Sequence, residues 1–115
     1  VINLSINFKV IQGDNWSLDI AYTDSENNPI NISDYTIIAE VRDKPGGQVL
    51  CATSTNGDGI EMIDDGNYNR FLLTFDENKT SNFNYPRAAY QVKVVDTGDS
   101  ILDGWFEVNP GVIKQ

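Results

Sequence analysis

Short runs that alternate apolar and polar residues fill most of the space between the turn signals of this chain, and a period of two is the signature of a strand with one buried face. Leu4, Ile6, Phe8 and Val10 oppose Ser5, Asn7 and Lys9, and Trp16, Leu18, Ile20 and Tyr22 repeat the pattern against Ser17 and Asp19. Tyr35, Ile37, Ala39 and Val41 continue it against Glu40 and Arg42. No window places apolar residues at i, i+3 and i+4 over three turns, and no repeat of motif length recurs. The chain is therefore expected to be all-β.

The breaks between runs carry their own chemistry. Gln12-Gly13-Asp14-Asn15, Lys44-Pro45-Gly46-Gly47, Asp64-Asp65-Gly66-Asn67 and Asp96-Thr97-Gly98-Asp99 hold residues that tolerate a left-handed backbone or bond their own amides. They predict four hairpins, joining Leu4–Val10 to Trp16–Tyr22, Tyr35–Arg42 to Gln48–Thr53, Ile60–Ile63 to Tyr68–Phe75, and Ala88–Val95 to Ser100–Val108. Asp24 to Pro29 reads as an exposed loop, and Asp76 to Phe83 as one helical turn begun by an Asp cap. Turns at this spacing predict a single immunoglobulin-like antiparallel β-sandwich over residues 1–115. The predicted core is Phe8, Trp16, Leu18, Ile20, Ile37, Val41, Leu73, Tyr90, Val92, Val94 and Trp105. Aromatics at such positions could form a sugar-stacking platform, but filling the space between two sheets is the simpler expectation. The terminal runs, Leu4–Val10 and Ser100–Val108, are expected at sheet edges.

With 115 residues, the chain can bury a core without disulfide or metal staples. It starts at Val1 rather than Met, which fits a piece of a longer protein. No apolar stretch is long enough for a membrane helix and no signal peptide is visible, so no membrane partner is expected. Lys and Arg number 8 against 17 Asp and Glu, a net charge of −9 that repels phosphate backbones; nucleic acid is not an expected partner.

The chain contains no histidine, which removes Ser-His-Asp and Cys-His catalysis and the ordinary zinc sets. Cys51 stands alone in a strand-like run and reads as a small apolar residue. The many acids fall mainly in turns, where Asp bonds nearby amides, and a domain of this size has little room for a deep cleft. No catalytic, cofactor-binding or metal-binding residue is therefore assigned. Asp24, Glu26 and Asn28 have the 1-3-5 spacing of a calcium loop, but Pro29 stands where that loop needs Gly and Tyr35 where it needs Glu. Asn-X-Ser/Thr triplets at Asn3, Asn15, Asn31 and Asn78 read as a product of composition, and Arg42 as a surface ion-pair partner.

Several segments in order carry a family resemblance: Gly13-Asp14 closing the first strand; Asn28-Pro29-Ile30-Asn31-Ile32; the run Tyr35 to Arg42; and a last hairpin from Tyr90-Gln91-Val92 to Gly104-Trp105-Phe106-Glu107-Val108. Together they resemble the N-terminal module of phage baseplate upper proteins, a tailed-phage tail and baseplate structural domain. That resemblance implies an immunoglobulin-type sandwich without catalytic residues or cofactors. It implies a place in the bacteriophage virion, assembled in the host cytoplasm, with other virion structural proteins or a second copy of the chain as partners. An adhesion or carbohydrate-binding sandwich of a phage or bacterial surface protein is the alternative, which an exposed row of aromatics outside the core would favour, whereas a long unprotected edge strand or an apolar end would favour the virion reading.

Overall fold

A computed structural model describes residues 4–24, 26–55, 59–63, 66 and 68–111. Among these described residues nine strands and one short helix follow in order: β1 (Leu4–Ser5), β2 (Phe8–Ile11), β3 (Trp16–Ala21), β4 (Ile37–Arg42), β5 (Val49–Ser54), β6 (Ile60–Ile63), β7 (Arg70–Phe75), α1 (Glu77–Thr80), β8 (Arg87–Val94) and β9 (Asp99–Asn109). One sheet runs β1/β2-β9-β8-β4-β5 and the other β3-β7-β6. The chain is an all-β, immunoglobulin-like sandwich, with β3, β7 and β6 facing the longer sheet across the core. Among the described residues no helix is long and apolar enough to cross a membrane.

Three of the four expected hairpins form: β4 with β5, β6 with β7, and β8 with β9, all antiparallel. The first does not. β1 and β2 pair in parallel with β9, Leu4 opposite Leu102 and Ile11 opposite Asn109, while β3 pairs antiparallel with β7. The longer sheet is thus mixed, while β3-β7-β6 is purely antiparallel. The residues read as a hairpin turn instead carry the chain from one sheet to the other. Gly13 takes φ 88° and donates its N–H to Thr80 Oγ1 at 3.1 Å. The Gln12 side chain donates to the Phe83 carbonyl at 2.7 Å, and the Asn15 side chain accepts the Glu77 amide. Turn chemistry is satisfied, but by α1 and the loop after it. The expected edge positions are half right, since β1/β2 forms an edge whereas β9 lies inside its sheet.

The alternation in 4–10 also breaks. Ile6 is 39% exposed, and its carbonyl turns inward against β9. Gly104, at φ 149°, makes this possible, because a Cβ there would stand 2.1 Å from the Ile6 oxygen. The gap between β1 and β2 is sealed by side chains: Asn7 Oδ1 accepts the Trp105 amide at 3.0 Å, and the Tyr90 hydroxyl donates to the Ile6 carbonyl.

The core is centred on Phe106, which is fully buried and lies 4.8–6.2 Å, ring centre to ring centre, from Tyr90, Trp16, Phe83, Phe75 and Phe8. These rings come from both sheets and from the loop after α1, so one cluster ties the layers together. Of the expected core, Ile37, Val41, Leu73, Tyr90, Val92 and Val94 are buried, and Phe8, Trp16, Leu18 and Ile20 pack against it half-buried. Trp105 is the exception. It points outward from β9, and its neighbour Phe106 takes the inner position.

Burial sets a prediction for alkaline stability. Desolvation raises the Tyr90 and Tyr22 hydroxyls above their ordinary value of 10.0 and pushes the Cys51 thiol up to about 11 from 9.0. The folded state therefore holds protons that the unfolded chain releases, and stability is complete below those ordinary values and is lost as pH climbs from about 9 through about 11 and beyond. The urea midpoint is expected to be clearly lower at pH about 10.5 than at pH about 7. An unchanged midpoint would mean these groups are not buried as described.

Candidate functional site

The site is the outer face of the longer sheet, opposite the core. Strand register puts two rows of side chains side by side there. Arg42, Ala89 and Trp105 form one row across β4, β8 and β9; Glu40, Gln91 and Asp103 form the next. Ala89 is the low point between two tall neighbours, so a broad open groove of about 560 Å³ lies between Trp105 on one side and Arg42 with the β4–β5 turn at Pro45 and Gly46 on the other.

The groove walls are held by their own contacts. The Arg42 guanidinium donates to Glu40 Oε2 at 2.8 and 3.1 Å and to the Gly47 carbonyl at 2.7 Å. The pair is about one-third exposed, so its part in stability is small and its part is to hold position. Trp105 is half-buried, and the Arg87 guanidinium sits 4.4 Å from its ring centre in a cation–π contact. Asp103 accepts the Ser5 hydroxyl at 2.7 Å, and Gln91 donates to Ser100.

This face differs in charge from the rest of the chain. At the outward positions of its strands Lys9, Arg42, Arg87 and Lys93 stand against Glu40, Asp103 and Glu107, four cations to three anions, while the whole chain has 8 against 17. The acid excess therefore lies elsewhere, much of it in turns. The sheet face that carries the groove and the half-buried Trp105 thus holds little of the chain's acid excess.

The other sequence candidates fall away from this groove. The carboxylate of Asp24 accepts the amides of Glu26 and Asn28, each at 2.9 Å, and the Asn28 side chain. Those bonds, the Asn28 amide first, hold its pKa below the usual carboxylate value, and the acid organises its own loop. Among the described residues no three Asp, Glu or Cys side chains gather in a way that could hold a metal. Asp64 and Asp65 lie outside the described residues. Asp96 accepts the Thr36 amide and Asp76 caps α1 through the Lys79 amide, both structural uses. Of the glycosylation-type triplets, Asn31 bonds Ser33 within its own loop, and Asn3 lies outside the described residues. Arg42 is an ion-pair partner as expected, and it also walls the groove. Ala89, Gln91 and Trp105 were not marked as site residues by the sequence, because nothing but register brings them together.

Cys51 faces the core from β5, opposite Val41, and its thiol pKa is raised by desolvation. Alkylation at pH about 8 is expected to be more than tenfold slower in the folded protein than in urea-unfolded chain. Equal rates would place Cys51 outside the core.

No family model matches the chain, and no curated protein does. Among solved structures, the chain is similar to one described as parallel homodimers of the extracellular domains of the voltage-gated sodium channel beta4 subunit, with a role in cell–cell adhesion. The two share 11% identity over 99% of this chain and 92% of that one, with a TM-score of 0.49. The sequence-based assignment to a viral protein, a bacteriophage tail, baseplate or virion part, is corrected: the solved structure to which the chain is similar is described as an extracellular domain with a role in cell–cell adhesion. The motifs behind that assignment are turns and alternating strands that β-sandwiches share. The strand order and layers of this chain are those of an immunoglobulin-like β-sandwich.

Proposed function

We propose that the chain is a non-catalytic contact module of the adhesion kind, which meets a partner surface through the outer face of its longer sheet. The observation that carries this reading is the groove beside Trp105, a concavity on a sheet face with little net charge on an otherwise acidic molecule. Indole and guanidinium groups are the side chains that most often anchor interfaces, and here Trp105, Arg42 and Arg87 are present and held in place before a partner arrives. The absence of histidine and the protonated state of the only thiol at neutral pH support a role without catalysis.

Beads coated with the protein are expected to adhere to a layer of cells or to one another. Gln91→Arg, which thrusts a charged chain into the groove, should reduce adhesion at least tenfold, while Glu61→Arg on the opposite sheet leaves it unchanged. Circular dichroism checks that both variants fold. Equal adhesion by both variants, or none by the unaltered protein, overturns the reading.

A further inference from the structure

We infer that the groove recognises a neutral saccharide carried on the partner surface. The inference rests on the outer sheet face being the contact surface and specifies what that surface reads.

Four features of the groove converge on this chemistry. Trp105 is half-buried, with the Arg87 guanidinium over one face of its indole; it lines the groove, which Arg87 does not, and the C–H face of a pyranose ring would stack on the ring face left toward the groove. Ala89 keeps the floor low and open, which suits a flat ring and gives no deep apolar socket for a side-chain anchor of the kind tight protein interfaces use. Glu40, Gln91, Arg42 and Asp103 line the same groove, planar groups that retain donor or acceptor positions beyond the bonds they already make, which suits sugar hydroxyls. Finally, Glu40 is paired with Arg42 while Asp103 leaves the groove lining one negative charge, so an acidic ligand is disfavoured and a carboxylate stands ready to accept the hydroxyls of a neutral one.

The arrangement is also prepared in advance. The Arg42 guanidinium is held by Glu40 and Gly47, and Asp103 by Ser5, so a ligand need not order them. An open groove of this kind favours weak binding by each site, strengthened when many copies act on one surface.

The test is a titration of isotope-labelled protein with neutral di- and trisaccharides, namely cellobiose, chitobiose, maltose, lactose and mannobiose oligomers, followed by amide shifts, beside a glycan array holding neutral and acidic members. At least one neutral sugar is expected to shift the amides of Ala89, Gln91 and Trp105 saturably. Trp105→Ala should weaken that binding at least tenfold while leaving the remaining spectrum folded, and Trp105→Phe should restore part of it. Shifts confined to other residues, binding to acidic glycans alone, or no binding to any glycan would each overturn the inference. If no glycan binds and bead adhesion still depends on Gln91, the contact face stands and its partner is read as protein. If adhesion fails as well, both readings fall.

Discussion

Gly104→Ala is expected to destabilise the protein by about 3 kcal/mol or more, a large share of the ~5–15 kcal/mol that holds a domain of this kind together. Two causes act at one residue. A side chain there is strained at φ 149°, and its Cβ would lie 2.1 Å from the Ile6 oxygen and 2.9 Å from the Ile6 carbonyl carbon, backbone atoms that cannot swing aside. Relief requires the link between β1 and β2 to move off β9, which breaks the Asn7 bond to the Trp105 amide and the Tyr90 bond to Ile6. Hydrogen exchange should therefore show Ile6 and residues 8–11 losing protection before the strands of the smaller sheet. A loss below about 1 kcal/mol by urea titration, with uniform exchange, would show that this close approach is not needed.

Phe106→Ala is expected to cost about 3–5 kcal/mol, the range for removing a fully buried phenyl ring. The ring touches both layers through Trp16, Phe75, Tyr90 and Phe83, so the cavity lies between the sheets where neither can close it alone. The neighbouring Trp105→Ala change removes a larger ring yet should cost less than about 1 kcal/mol, since that indole lies on the outer face. Urea midpoints of the two variants side by side check the assignment. If Trp105→Ala were the more damaging, the orientation of this end of β9 would be reversed.

That pair of residues also marks what the sequence could tell. Gly104-Trp105-Phe106 offers adjacent aromatics of opposite parity, and alternation alone does not say which one faces inward. The parity is set by a register shift between Val92 and Lys93, opposite which both Ile101 and Leu102 are buried. Hairpins were legible where partners are neighbours in the chain, as in β4–β5 and β8–β9, because a turn fixes which strand follows. The parallel pairing of β2 with β9 was not, because it joins Lys9 to Glu107 across nearly the whole chain and no local signal names that partner. The groove shares this limit. Arg42, Ala89, Gln91 and Trp105 are ordinary outward positions on three strands, and only their alignment across the sheet makes a surface of them.

The parallel pairing has a mechanical meaning. Leu4 lies beside Leu102 and Asn109 beside Ile11, so these two points stand at opposite ends of the paired strands, ~23 Å apart at the usual rise per residue. Tension applied at Leu4 and Asn109 would pull β1/β2 and β9 in opposite directions along their length. The backbone bonds between them then bear the load together, as a lap joint does, rather than opening one at a time like a zip. A module tethered at both ends would hold under force through its first and last strands, with Gly104 and the Ile6 carbonyl acting as the notch that resists the slide.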